Sequence, residues 1–164
     1  MWGGNDQSNM LQRQINDLYK KVTGLEYNNT NAILRTTAEA EKLSAQYRDN
    51  TELLILLTRL QIMNSQEQRA RALANRVWEI GGNISLMFEK MYLDDLINLA
   101  MVDMAAILIR PRFEKTAESI KIFPLEMLRF ALMTGNAGLI KRVTAEAAPG
   151  KLFQAFSQFA ETYQ

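Results

Sequence analysis

The chain has 164 residues, 48% of them apolar and 23% charged, a formal net charge of +1, and no histidine or cysteine. That length and balance suit about one folded domain with a real core, and they remove any global electrostatic drive toward nucleic acid or acidic membranes. The missing residue types exclude Cys/His zinc sites, haem held by either side chain, thiol nucleophiles and any triad with an imidazole base.

Residues 1–8 read as a polar, disordered lead without the basic and apolar regions of a Sec-type signal, so a cytoplasmic location or incorporation into a larger particle is expected. From Asn9 a long helical pattern begins. Leu11, Ile15, Leu18, Val22 and Leu25 follow one another at steps of four, three, four and three, and the next step of four lands on Asn29. With Leu11 at heptad position d, the a positions are Ile15, Val22 and Asn29. β-Branched residues at a with leucine at d favour a parallel two-stranded coiled coil, and an asparagine at a fixes register at a cost in stability. Lys21 then stands at g and Glu26 at the following e, an attractive pair across such a dimer. After Asn29 a second step of four reaches Ile33, which is a stutter within a continuing helix; Thr36, Ala40, Leu43 and Tyr47 follow. The seam holds for only about two and a half heptads, so an amphipathic helix packed within its own chain accounts for the same residues.

A cap signal at Asp49-Asn50-Thr51-Glu52 opens a second helix running to about Ile80. Its start, Leu53 to Leu57, is apolar on all sides and calls for deep burial. Gly81-Gly82-Asn83 ends this helical segment, 9–80. A third helix is expected from Ser85 to Ile109, closed by Pro111. Its stretch from Tyr92 to Ile109 is the most apolar in the chain, but Asp94, Asp95, Asn98 and Asp103 are costly in hydrocarbon, so no transmembrane span is expected. Residues 111–164 give shorter helices separated by Phe123-Pro124, Thr134-Gly135-Asn136 and Pro149-Gly150. No repeat at a fixed period is apparent. The expected fold is all-α: a long N-terminal helix or helical hairpin with a coiled-coil-like seam (9–80), then a compact helical bundle (83–164).

Glu89, Asp94, Asp95 and Asp103 read as a solvated acidic stripe. A carboxylate metal site in a bundle draws inward acids from several helices, usually with histidine, so neither metal nor cofactor is expected. Arg69, Arg71 and Arg76 form a small basic group diluted by Glu67. Phe153, Phe156 and Phe159 share one helical face with Leu152 and Ala160, suited to clamping onto the chain's own domain or docking in a partner groove. The expected function is a non-catalytic assembly or adaptor protein, a component or accessory of a larger complex of secretion or virion type, which self-associates or docks a partner helix through the 11–36 seam. Two other classes stay open: a nucleic-acid binder using the arginines, and a bundle that takes a small molecule in a Met- and Phe-lined pocket.

Overall fold

The computed structural model describes residues 3–114 and 124–146. Among them are eight α-helices and no strand: α1 (Gly3–Thr23), α2 (Thr30–Gln46), α3 (Thr51–Met63), α4 (Glu67–Ile80), α5 (Leu86–Asn98), α6 (Val102–Glu114), α7 (Pro124–Thr134) and α8 (Ala137–Glu146). The all-α class expected from the sequence is what the chain adopts. No helix among the described residues is long and apolar enough to cross a membrane. The chain divides into two compact units, Met1–Asp95 and Leu96–Gln164, with the division inside α5.

In the first unit α3 is the central helix, packed against α1, α2 and above all α4. Leu53, Leu54, Ile55, Leu56 and Leu57 are all buried, as their all-round apolar character requires. Ala70 and Ala74 are fully buried on α4, and side chains that short let α4 approach α3 closely. Residues 14–21 of α1 and 39–46 of α2 line a common cleft in which Lys21, late in α1, pairs with Glu39 at the early end of that α2 stretch, so these two helices run antiparallel. Tyr19 meets Phe88 of α5 edge-on with ring centroids 5.3 Å apart. The Tyr92 hydroxyl donates to the Ala74 carbonyl at 2.8 Å. In the second unit α7 packs on α8 and on α6, burying Met127, Leu128, Phe130, Ala131, Leu139 and Val143.

The expected helix bounds are corrected in several places. The first helix ends at Thr23 instead of running through Asn29, because Asn29 turns its side chain to cap α2: its Oδ1 accepts from the Ala32 amide at 3.2 Å. No stutter exists, since no helix crosses residues 24–29. The second expected helix is two, α3 and α4, and the third is likewise two, α5 and α6, with Pro111 inside α6. α1 begins at Gly3, within the stretch expected to be a disordered lead.

Three of the breaks share one geometry and reveal a repeat that the sequence hides. Ser65, Ala100 and Gly135 have φ of 59°, 56° and 66°, at steps of 35 residues. At each, two amides turn back onto the helix just ended. Ser65 N bonds Ile62 O (3.0 Å) and Gln66 N bonds Gln61 O (2.8 Å); Ala100 N bonds Ile97 O (3.0 Å) and Met101 N bonds Leu96 O (2.9 Å); Gly135 N bonds Leu132 O (3.4 Å) and Asn136 N bonds Ala131 O (2.9 Å). This is the double closure of a left-handed helix C-terminus. The helices keep the same step: α3 and α5 begin at 51 and 86, and α4, α6 and α8 begin at 67, 102 and 137. Equivalent core positions are buried in every copy, among them Leu57, Tyr92 and Met127, Thr58, Leu93 and Leu128, and Leu60, Asp95 and Phe130. A two-helix unit of this period lies in the range of known helical repeats, about 33–47 residues.

Candidate functional site

Packing decides which residues of 11–36 stay exposed. Ile15, Leu18 and Val22 are 1–3% exposed, covered by the chain's own α2 and α3, and Leu11 is half-buried. Leu25 is half-buried and Glu26 exposed in the link to α2. The Lys21–Glu26 relation across a dimer is corrected: Lys21 Nζ reaches both oxygens of Glu39 on α2 at 3.0 Å, within the chain. Asn29 holds no core position, because it is the exposed cap of α2. What the segment leaves outside is Tyr27, 65% exposed, and Leu34, 54% exposed.

Both line a groove of about 610 Å³ between α2 and the start of α4. The α2 wall carries Leu34, Ala38 and Glu41, which a helix places along one side. Met63 and Gln66 bring the α3–α4 turn into the groove, and Arg69 stands on the α4 wall. Its geometry is fixed by polar contacts beneath. Thr37 Oγ1 donates to the Ile33 carbonyl at 2.7 Å and accepts from Asn64 Nδ2 at 3.0 Å, which ties the end of α3 to α2. The Ser65 turn then starts α4 at the groove's edge. The groove thus sets the exposed Tyr27 and Leu34, with Glu41 and Arg69 on its walls, around the buried Thr37 and Gln61.

A second constellation lies on the other part of α3. Arg59 Nε donates to Asp95 Oδ1 at 2.6 Å and Arg59 Nη2 to Asp94 Oδ2 at 3.0 Å. Asp95 is fully buried and its Oδ2 accepts no hydrogen bond. Burial pushes the Asp95 carboxyl up to about 7; Arg59 pulls it down and Asp94 adds to the rise. Burial works against the charge of Arg59 too, but Asp95 and Asp94 outweigh it and hold the guanidinium above its ordinary value, with Tyr27 adding in the same direction. The solvated acidic stripe is corrected at Asp95, which is buried, and at Asp94, which is half-buried and paired with Arg59; Glu89 is half-buried, and Asp103 is exposed as expected. Among the described residues no group of three or more Asp or Glu side chains is placed to hold a metal ion.

The three arginines expected as a basic patch do not act together. Arg71 pairs with Glu67 at 3.0 Å, and Arg76 with Asp49 at 2.8 Å and Glu79 at 3.2 Å. Arg69 alone of the three belongs to the groove. Phe153, Phe156 and Phe159 lie outside the described residues. Comparison with protein-family models, with curated proteins and with solved structures finds no match to this chain.

Proposed function

We propose that the chain is a non-catalytic helical assembly or adaptor protein that receives a partner helix in the groove between α2 and α4, as a component or accessory of a larger complex. The observation that carries this reading is the exposure of Leu34 and Tyr27 beside a preformed groove of about 610 Å³. Large apolar side chains grouped at a concave, polar-rimmed surface mark contact sites more often than scattered exposed ones do. The burial of Ile15, Leu18 and Val22 supports moving the contact from the α1 seam to this face. The recurring two-helix unit adds architecture-level support, because helical repeats serve widely as scaffolds for protein binding.

A photocrosslinking residue at position 34, and another at exposed position 13 on α1, test the reading in the cells that make the protein. A protein adduct is expected from position 34 and none from position 13. Absence of an adduct from position 34 sinks the reading.

A further inference from the structure

We infer that the occupant of the α2–α4 groove is the same face of a second copy of this chain, with α2 of each copy laid into the groove of the other. The inference rests on the groove being the contact surface. A two-fold contact brings residue i of one copy to residue j of the other and j to i, so the patch must contain both knob and hollow, and each charge must find its complement on the same face. The α2–α4 face meets both conditions.

Its knobs are Leu34 and Tyr27, both more than half exposed, and its hollow reaches Met63 at the α3–α4 turn. Its two walls carry opposite charges, Glu41 on α2 and Arg69 on α4. Among the described residues neither has an ion-pair partner, whereas Arg71 and Arg76 on the same helix as Arg69 are both paired. A foreign helix would need a basic and an acidic side chain at matching spacing to satisfy both walls. A second copy turned by two-fold symmetry sets Glu41 against the other copy's Arg69 twice, and satisfies both walls with the residues already present. Complementary rim charges of this kind fix orientation and weaken as salt rises.

Sedimentation equilibrium on the full chain tests this through charge reversal. The wild type is expected to dimerise. Glu41→Arg and Arg69→Glu should each raise the dimer dissociation constant by roughly tenfold or more, because two attractive pairs become two repulsive ones. An equimolar mixture of the two variants should return to wild-type affinity. In the mixed dimer the two altered positions meet each other with opposite charges at one contact, and the unaltered Glu41 and Arg69 meet at the other. A change confined to one chain's own fold has no means of being rescued by mixing. Wild-type affinity in either single variant, or a mixture as weak as its components, overturns the inference. The position-34 adduct separates this inference from the reading beneath it. Twice the chain mass supports the second copy; any other mass overturns it while the groove stays a contact surface; no adduct overturns both.

Discussion

Arg59 on α3 holds Asp95 on α5 at 2.6 Å, and Asp95 occupies the core position that Leu60 fills one repeat earlier and Phe130 one repeat later. A carboxylate in a place built for a large apolar side chain is a burden that its arginine only partly relieves. The Asp95 carboxyl, ordinarily near 3.8, is raised to about 7 by burial. A group whose folded value lies above its unfolded one gives its full stabilising contribution below about pH 4 and loses it as pH rises to about 7. Asp95→Asn should therefore gain on the wild type as pH goes from 5 to 8, by on the order of 2 kcal/mol at about 1.4 kcal/mol per pKa unit. Urea unfolding of both proteins at pH 5 and pH 8 measures the difference. A constant gap between them would show that Asp95 does not titrate in this range.

Asn29 separates two accounts of the N-terminal third by sign. As a buried heptad residue it would weaken the fold, and Asn29→Ile would raise stability. As the cap of α2, accepting from the Ala32 amide, it strengthens the fold, and both Asn29→Ile and Asn29→Ala should lower stability by about 1 kcal/mol. The shift in urea midpoint decides between them.

The two leucines of the 11–36 segment should behave oppositely in unfolding experiments. Leu18 is 2% exposed, so Leu18→Ala should cost about 2–5 kcal/mol. Leu34 is 54% exposed, so Leu34→Ala should change stability by no more than about 0.5 kcal/mol. Similar costs for both would mean that α2 is packed differently from the arrangement described.

Tyr92 gives an internal check on the α4–α5 contact. Its buried hydroxyl donates to the Ala74 carbonyl, and burial pushes its titration upward, so it stays a donor across the neutral range. Tyr92→Phe keeps the ring and leaves that carbonyl without its donor, with an expected loss of about 1–2 kcal/mol in denaturant unfolding. No loss would place the hydroxyl elsewhere.

The helical class, the deep burial of Leu53 to Leu57 and the inward stripe of α1 were all legible, because apolar spacing reports burial directly. What apolar spacing does not report is which chain supplies the covering surface; Ile15, Leu18 and Val22 suit a partner helix as well as they suit α2 and α3. The helix breaks were hidden for a different reason. Gly135 is a visible turn residue, but Ser65 and Ala100 adopt the same left-handed conformation without glycine, and nothing in their identity announces it. With two of three punctuation marks silent, the 35-residue repeat could not be seen, and core positions such as the one occupied by Leu57, Tyr92 and Met127 offer no identity to align. Asp95 was misplaced because charge normally predicts exposure, and its partner Arg59 lies 36 positions away. Leu34 and Tyr27 were overlooked since an exposed apolar residue on an amphipathic helix becomes informative only beside a groove.

If the α2–α4 groove and not the α1 seam is the contact surface, association depends on Leu34. Sedimentation of the wild type and of Leu34→Glu over a concentration range, with urea unfolding alongside, measures that dependence. The wild type should associate, and the Leu34→Glu chain should stay monomeric while its unfolding free energy moves by no more than about 0.5 kcal/mol. A Leu34→Glu chain that associates as strongly as the wild type would contradict that dependence.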